Sequence, residues 1–407
     1  MSGIPHLLLV LAFWGAVSAT LFTYAAFPMW IYFRSRWRPQ SWRQESILPT
    51  VSIVLAVHNG ASMIRGQINR LLSFDYPKHL MNLIVVSDGS TDGTDEVLKS
   101  IRHTAVKAIH YTERRGKAAA VNLGVEHAIG EIVLFVDIRP RPAPNSLKLL
   151  VSNFADPTVG CVTGELVLLE ENHSASARAV GGLYWRYEQW IRMCESQVDS
   201  PMGVYGGFYA IRRELIRPLP EGTILDDMMQ PLNVIRQGYR SVIDVRARVH
   251  DIWPKSLRDE FNRKVRTLAG NFQLLQLAPW LLSGENRLRF ELISHKLLRL
   301  LVPALLFILL VTSAALAIDS RPYALALVSQ LFLYLIASVG TWGRLSFASR
   351  IAGTARAFCM LNLAVVVGFY KFVSYRGPLW KIWIPAVPFP VAASKKNDRA
   401  RRAVAGA

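Results

Sequence analysis

Three long stretches of this chain carry no Asp, Glu, Lys or Arg, and they limit its possible architectures more than any other feature. They are residues 1–33, 300–318 and 322–343. An α-helix needs about 20 apolar residues to cross the ~30 Å hydrocarbon core of a membrane. A helix of that length in a soluble core would normally show a polar face. We therefore predict that all three stretches are membrane-inserted helices.

The first stretch sets the orientation of the chain. Residues 16–19 read AVSA, which would suit a cleaved signal peptide, but no positive region precedes the apolar run and the run continues through Phe33. We therefore expect an uncleaved anchor over residues 1–33. The next basic residues are Arg34, Arg36, Arg38 and Arg43. By the positive-inside rule, the domain that follows lies in the cytoplasm, which predicts a multi-pass plasma (inner) membrane protein.

The formal net charge of +18 raises the possibility of a nucleic-acid partner. Much of the positive excess, however, lies beside the apolar stretches, where lysine and arginine are attracted to anionic lipid headgroups. The sequence contains no zinc-finger, RNP or aromatic-basic repeat pattern. We therefore expect membrane lipids, and no nucleic acid, among the partners of this chain.

Residues from about 49 to 251 alternate between apolar strands and helical segments. Strands are predicted at 51–57, 82–87, 106–111 and 131–137, with helices at 61–74, 92–101 and 117–128 between them. This alternation predicts an α/β domain with a mostly parallel sheet and helices on both faces. Neither GxGxxG nor GxxxxGKS occurs, so dinucleotide and P-loop sites lack their sequence signature.

Acidic side chains follow the predicted strands. Asp88 follows VVS, Asp137 follows IVLFV, and the pair Asp226 and Asp227 follows a turn that contains Pro220. A carboxylate at a sheet edge can bind a nucleobase or ribose, hold a hard divalent cation, or deprotonate a hydroxyl group. The alternative is that these residues are helix N-caps and turn acids, which Asp before Gly also favours.

Six segments carry a family resemblance, and they occur in this order: VSIVLAVHN, VVSDGSTDGT, RGKAAAVNLG, VLFVD, GGFYAIRREL and ILDDMMQPLNVIRQGYR. The chain resembles the membrane-embedded family 2 glycosyltransferases, a group that includes the bacterial polysaccharide synthases. The resemblance implies a cytoplasmic α/β domain of the GT-A fold, Rossmann-like with a mostly parallel sheet, plus α-helical transmembrane segments. The implied regions are an anchor (1–33), a GT-A domain (49–255), an amphipathic interfacial region (256–290), a transmembrane region (297–375) and a basic tail (376–407).

The resemblance also implies roles for individual residues. Asn59, Asp88 and Lys117 fall where the family contacts the nucleotide-sugar, although Asn59 could simply end a strand and Lys117 could be a solvated lysine at a helix start. Asp137 matches the first acid of the metal-binding DxD motif, which implies Mg²⁺ or Mn²⁺. Asp227 matches the general base, with Asp226 as its neighbouring acid.

The implied reaction is inverting sugar transfer from a nucleotide sugar, expected to be UDP-linked. Asp227 would accept the proton of an acceptor hydroxyl as that hydroxyl attacks the anomeric carbon. The acceptor would be a growing polysaccharide or a glycolipid. Two alternatives stay open: transfer of a single sugar to a polyprenyl or other lipid, and a catalytically silent subunit that binds nucleotide or glycan within a synthase complex.

Two positions depart from the family pattern. The DxD motif reads Asp137-Ile138-Arg139, and arginine cannot ligate a cation, although Arg139 could neutralise diphosphate through bidentate hydrogen bonds. The family's QxxRW signature corresponds to RKVRT, in which Arg263 and Arg266 could face the diphosphate. Alternatively, these two arginines lie on an amphipathic helix at the membrane surface, and the two interpretations are compatible.

Acceptor binding is predicted for residues 183–193, LYWRYEQWIRM. Trp185 and Tyr187 offer flat faces for sugar stacking, although such aromatic residues are also typical of cores and membrane interfaces. Gly207 would permit close approach of the backbone to an acceptor, and its alternative role is a tight turn. The last apolar stretch, residues 357–370, is compatible with either a full crossing or an in-plane segment.

Overall fold

The computed structural model describes residues 3–169, 175–252, 256–318, 320–339, 346–375 and 377. The predicted basic tail (376–407) lies outside these ranges apart from residue 377. The end of the third uncharged stretch, residues 340–343, also lies outside them.

Within the described ranges, eight strands form one mixed sheet. They are β1 (Val51–Val57), β2 (Met81–Asp88), β3 (Val106–Tyr111), β4 (Ile132–Val136), β5 (Arg141–Pro142), β6 (Val159–Leu169), β7 (Phe208–Arg212) and β8 (Arg240–Ile252). Their order is β3-β2-β1-β4-β7-β6-β8-β5. Strands β1 to β4 are mutually parallel, β7 is antiparallel to both β4 and β6, and β8 is parallel to β6. The predicted mostly parallel α/β sheet is confirmed, and the carboxyl ends of β1, β2 and β4 share one edge.

Helices cover both faces of this sheet and extend beyond it. They are α1 (Ile4–Leu21), α2 (Phe27–Trp37), α3 (Ala61–Leu72), α4 (Thr94–Lys99), α5 (Lys117–Glu126), α6 (Ser146–Ser152), α7 (Ala175–Val198), α8 (Asp226–Arg236), α9 (Leu257–Leu277), α10 (Arg289–Leu292), α11 (Leu298–Leu316), α12 (Arg321–Val339) and α13 (Ser346–Ser374). A π-helical turn joins α1 to α2, and another joins α10 to α11.

The central strands are apolar throughout because both of their faces are covered. Alternate side chains of a strand point to opposite faces, so Val54 packs in the layer that contains α5 while Ile53 packs in the layer that contains α3. In α3, Ile64 and Ile68 are spaced by one helical turn and are both fully buried against that second layer. Burial of each such side chain contributes roughly 1.5–3 kcal/mol to stability.

Four helices of the described chain are long and apolar enough to cross a membrane. They span Ile4–Trp37, Arg289–Leu316, Arg321–Ser338 and Ala352–Ser374. Large apolar side chains on these helices are exposed, among them Leu11, Phe307 and Phe332. Such an apolar outer surface is typical of helices whose solvent is lipid.

Helix α9 lies between the sheet domain and the C-terminal helix α13. Ser256 caps its first turn by accepting a hydrogen bond from the Asp259 backbone N–H at 3.1 Å. Leu274 of α9 packs in the core of the sheet domain, and Val265, on the opposite face of the helix, is also buried. The ring of Phe272 packs against Phe369 and Phe372 of α13, with centroids 5.1 and 5.9 Å apart.

The helices α9 and α13 are also close along their backbones. At Gly368 of α13, an added Cβ would lie 3.1 Å from the Val265 carbonyl oxygen of α9. A larger residue at that position would therefore push the two helices apart. The predicted amphipathic region thus contains a helix with one side on the α/β domain and the other side on a candidate membrane helix.

Candidate active site

Asp88 ends β2, and its carboxylate is surrounded by donors from one loop. Its Oδ1 accepts hydrogen bonds from the Tyr111 hydroxyl (2.8 Å), the Arg115 N–H (2.7 Å) and the Gly116 N–H (3.0 Å). Its Oδ2 also accepts from the Gly116 N–H at 3.0 Å and lies 3.9 Å from the Arg114 Nε. The Asp88 carboxylate therefore fixes the loop between β3 and α5 at the edge of the sheet.

The loop after β1 is fixed by similar local bonds. Asn59 has a φ of 53°, in the left-handed region, where asparagine is better tolerated than most residues. Its side-chain oxygen accepts from the Thr91 N–H at 2.8 Å, and its own N–H donates to Ser90 at 3.1 Å. Asn59 thus joins the loop after β1 to the loop after β2, next to Asp88.

Asp92 belongs to the same pair of loops and behaves as a turn acid without a direct role in the candidate site. It accepts hydrogen bonds from the N–H groups of Ala61 (3.0 Å) and Thr94 (3.1 Å). Burial alone would raise the pKa of Asp92, but the hydrogen bonds from Thr94 and Ala61 lower it. Asp92 is therefore a structural acid that ties α3 to α4.

Three of the predicted site residues meet at the carboxyl end of β4. The Lys117 Nζ lies 3.0 Å from Oδ1 of Asp137 and 2.9 Å from Oδ2 of Asp226. Lys117 is the first residue of α5, Asp137 directly follows β4, and Asp226 is the first residue of α8. The fold thus brings together residues that are as much as 109 positions apart in sequence.

The protonation of this cluster follows from burial and from the charges around it. Burial by itself would lower the pKa of Lys117, but the charges of Asp137 and Asp226 raise it above its ordinary value. Burial raises the pKa of Asp227 to about 6, and the charge of Asp226 adds to that rise. Lys117 therefore stays cationic, while Asp227 gains and loses a proton near the pH at which a general base is most useful.

Gly206 forms the wall next to Asp227. An added Cβ at this glycine would lie 2.8 Å from the Asp227 Cβ and 2.9 Å from its Oδ2. The Val204 N–H also donates to the backbone oxygen of Asp227 at 3.0 Å. The segment before β7 therefore fixes the position of this acid. Gly207, the predicted acceptor contact, lies beside it, and its carbonyl accepts from the Asp137 N–H at 3.3 Å.

Two further residues fix the loop that carries the incomplete DxD motif. Arg139 pairs with Asp251 of β8 at 3.3 Å, and the Tyr205 hydroxyl donates to the same carboxylate oxygen at 3.2 Å. The Gln67 amide of α3 donates to the backbone oxygens of Asp137 (3.0 Å) and Pro140 (2.9 Å). Sequence reasoning missed both Asp251 and Gln67, because each acts on a loop that is distant along the chain.

The two arginines of the RKVRT segment differ in their surroundings. Arg263 forms an i,i+3 ion pair with Glu260 at 2.7 Å, so its charge is already matched on the helix. Arg266 lies near Arg114: burial lowers the pKa of Arg114, Asp88 opposes this, and the positive charge of Arg266 lowers it further. The positive charges of Arg114 and Arg266 thus act on each other beside the Asp88 loop, where they are suited to an anionic ligand. The predicted binding role is therefore supported by electrostatics for Arg266, whereas Arg263 pairs with Glu260 on its own helix.

The predicted acceptor aromatics lie on opposite sides of α7. Trp185 lines a small cavity with Gln189, Arg192 and Tyr205, on the side of the candidate active site. The Tyr187 hydroxyl instead donates to the Tyr24 carbonyl at 2.8 Å, in the linker between α1 and α2. Residues two positions apart on a helix, such as 185 and 187, point about 200° apart around its axis, so both rings cannot face one ligand. The predicted acceptor role of Tyr187 is therefore corrected to packing against the N-terminal helices.

The residues around Asp137 fit a divalent cation only in part. No group of three or more His, Cys, Asp or Glu side chains converges on one point in the part of the chain that the structure describes. The Asp137 side chain is 41% exposed, and its Oδ1 contacts Lys117. A carboxylate has two oxygens, and hard cations accept substrate phosphates and water as the remaining ligands. Asp137 thus fits as a single protein ligand for Mg²⁺ or Mn²⁺.

Comparison with known proteins places these residues in a family context. The sequence model described as "Glycosyl transferase family 2" matches residues 52–218. Glycosyltransferase AglE of Haloferax volcanii is 31% identical over 150 residues, which cover 36% of this chain and 47% of that protein. Poly-beta-1,6-N-acetyl-D-glucosamine synthase of Staphylococcus aureus is 29% identical over 234 residues, which cover 56% of each chain. The chain thus spans about half the length of these two relatives.

A solved structure shares the architecture over most of its length. It is the mannosyltransferase PcManGT from Pyrobaculum calidifontis in complex with GDP-Man and Mn²⁺, with a TM-score of 0.67 and 24% sequence identity. The match covers 89% of this chain and 99% of that one. At this level of identity, the likeness establishes a common fold.

Proposed function

We propose, from the premise that this chain belongs to glycosyltransferase family 2 through residues 52–218, that it is an inverting enzyme with Asp227 as its general base. It transfers a sugar from a nucleotide sugar to a glycan or lipid-linked acceptor at a membrane. The observation that carries the proposal is the cluster of Lys117, Asp137 and Asp226 beside Asp227, whose pKa is raised to about 6.

The donor is proposed to lie along the edge formed by β1, β2 and β4. The loops joined by Asn59 and Asp88 supply the walls for the base and ribose of a UDP-linked donor. Arg114 and Arg266 lie beside the same loop, and their positive charge suits the diphosphate. Arg263 is not included in this set, because the contact described for it is with Glu260 on its own helix and not with the Asp88 loop.

In the chemical step, the acceptor hydroxyl gives its proton to Asp227 as its oxygen attacks the anomeric carbon. The new bond joins that oxygen to the carbon, and the bond from the carbon to the diphosphate oxygen breaks on the opposite face. This geometry inverts the anomeric centre, so an α-linked donor yields a β-linked product. An acid with a pKa of about 6 is ionised at neutral pH and still basic enough to accept the proton.

Charge neutralisation at the leaving group is proposed for Lys117, whose ammonium group is held between Asp137 and Asp226. Arg139, held by Asp251, lies on the same loop as Asp137 and adds positive charge there. A divalent cation bound by Asp137 would supply further Lewis-acid stabilisation of the departing diphosphate. Lys117 and Arg139 provide donors whose positions are set by the protein before the donor binds.

The acceptor is proposed to approach from the side of α7. Trp185 lines the cavity there, and Gly206 lets the backbone before β7 pass directly beside the Asp227 side chain. The four candidate membrane helices suit an acceptor that is attached to lipid or delivered to the bilayer. With the α/β domain in the cytoplasm, the cytoplasmic pool of nucleotide sugars would be available to it.

Assays with purified full-length protein and labelled nucleotide sugars test the proposal. Turnover that requires Asp227 supports it, and Asp227→Asn should slow turnover at least ~100-fold without unfolding the protein. Asp75→Asn is the matched control, because Asp75 is exposed beyond the far end of α3. A folded protein that turns over no donor would support the silent-subunit alternative. A ladder of product lengths indicates a polysaccharide synthase, and a single addition indicates a lipid glycosyltransferase.

A further inference from the structure

The loop before the catalytic acids is held by one side chain of α9. Gln273 is 8% exposed, and its side-chain oxygen accepts a hydrogen bond from the Ile224 N–H at 2.9 Å. Its amide nitrogen donates to the Gly222 carbonyl, also at 2.9 Å. Both ends of the amide are therefore used, one on each side of Thr223. These bonds satisfy loop backbone groups that would otherwise lack a partner inside the protein.

The backbone of α9 approaches the same loop one helical turn earlier. At Gly270, an added Cβ would lie 2.7 Å from the Leu225 Cγ and 3.0 Å from the Ile224 Cγ2. Positions 270 and 273 share one face of the helix. This face of α9 thus holds residues 222–225 both by the hydrogen bonds of Gln273 and by close packing at Gly270.

This loop leads directly into the proposed base. Leu225 is the residue before α8, and its carbonyl accepts from the N–H groups of Met228 (3.2 Å) and Met229 (3.0 Å). Asp226 and Asp227 are the first two residues of that helix. A shift of the loop therefore moves both carboxylates relative to Lys117 and Gly206.

We infer that Gln273 is a positioning residue for the Asp226–Asp227 pair, acting through the loop 222–225 without touching substrate. The inference rests on the proposed function, in which Asp227 is the general base. Displacement of a catalytic group by about 1 Å can reduce a rate about a hundredfold, so a small movement of this loop has a large effect on turnover. A neighbouring side of α9 is fixed by α13 through Phe272, which directly precedes Gln273 in sequence and is about 100° from it around the helix axis.

Kinetics of the full-length protein with Gln273→Met test the inference. Methionine has a similar length and shape but forms neither hydrogen bond. We expect kcat to fall about tenfold or more while the donor KM stays within about a factor of two, since the donor-binding loops are separate from this one. We also expect the apparent pKa of the kcat profile to fall below about 6, because a displaced Asp227 is less buried.

Gln276→Met is the matched control, because Gln276 lies on the same helix but is exposed. It should leave kcat, the donor KM and the pH profile unchanged. A Gln273→Met variant that matches this control in all three would overturn the inference. So would a loss in which the donor KM rises as much as kcat falls, because that indicates a general disturbance of the domain.

Gln273→Glu supplies a second, conservative comparison. The introduced carboxyl can accept from Ile224 and donate to Gly222 while it is protonated, but it cannot donate once ionised. The kcat of this variant relative to the parent should therefore be highest at low pH and should fall as pH rises. A ratio that does not change with pH would contradict the role of the donated bond. If Asp227→Asn keeps full turnover, the proposed function itself is wrong. That outcome is distinct from parental kinetics in the Gln273 variants, which would overturn only the positioning role of Gln273.

Discussion

The two groups of acids at the edge of the sheet are held in opposite ways. Asp88 accepts three hydrogen bonds at one oxygen and another at the second, mostly from backbone N–H groups of a single loop. Asp226 and Asp227 instead are consecutive residues of α8, where the charge of Asp226 raises the pKa of Asp227, and Lys117 is the nearby cation. A carboxylate whose oxygens accept backbone hydrogen bonds fixes a loop, whereas neighbouring acids that raise each other's pKa are suited to proton transfer.

Replacement of the cation should have the largest effect on the catalytic side. Lys117→Met removes the positive charge between Asp137 and Asp226, and with it the proposed stabilisation of the diphosphate. We expect kcat to fall roughly 100- to 1000-fold in steady-state assays. Lys99→Met is the control, since Lys99 is exposed on α4. A Lys117→Met enzyme with parental kcat would contradict the role given to this lysine.

Gly206→Ala tests how closely the acids are confined. The added Cβ would overlap the Asp227 side chain, so we expect a loss of roughly 10- to 100-fold in kcat. Gly66→Ala is the matched control, because its Cβ would meet nothing within 4 Å in the interior of α3. The control should raise the free energy of unfolding by about 0.5–1 kcal/mol. Equal behaviour of the two variants would argue against a confined base.

Removal of divalent cations measures how much of the negative charge of the leaving diphosphate is neutralised by a metal ion and how much by the protein's own side chains. Since Asp137 fits as a single ligand, we expect EDTA to reduce turnover about tenfold and Mn²⁺ or Mg²⁺ to restore it. Turnover that is insensitive to EDTA would assign the neutralisation to Lys117 and Arg139 alone. Circular dichroism before and after chelation controls for unfolding.

Substitution on the donor side should affect binding and stability more than the chemical step. Asp88→Asn places an NH₂ group among N–H donors, so the free energy of unfolding should fall by about 1–3 kcal/mol. The donor KM should rise several-fold, as the loop after β3 loosens, with little change in kcat. Tyr111→Phe removes one donor only and should cost about 0.5–1.5 kcal/mol. A kcat loss in Asp88→Asn as large as that in Lys117→Met would remove the distinction between the two groups.

The parallel half of the sheet could be predicted from the sequence alone. Strands β1 to β4 are continuous apolar runs because they are buried on both faces, and their ends differ from the predictions by one residue at most. Strands β6 to β8 were not predicted. Their pairing depends on β7 entering antiparallel between two strands that are distant in sequence, which no local pattern records.

The site was predictable where residues follow strands and not where they act across the fold. Asp137, Lys117 and Asp226 were all named from their motifs, and they meet in the structure. Asp251 and Gln273 act on loops more than 45 residues away, so only tertiary structure reveals them. Tyr187 was misplaced for a simpler reason: the helical period already puts it opposite Trp185.

The central claim is that Asp227 is a partly buried base whose ionisation controls turnover. The most direct test is kcat as a function of pH for the parent and for Asp227→Asn. The account predicts that parental kcat is level above neutrality and falls about tenfold per pH unit below about pH 6, because only ionised Asp227 accepts the proton. Asp227→Asn should be at least ~100-fold slower and show no such fall. An Asp227→Asn enzyme with the parental rate and the parental pH profile would contradict the account.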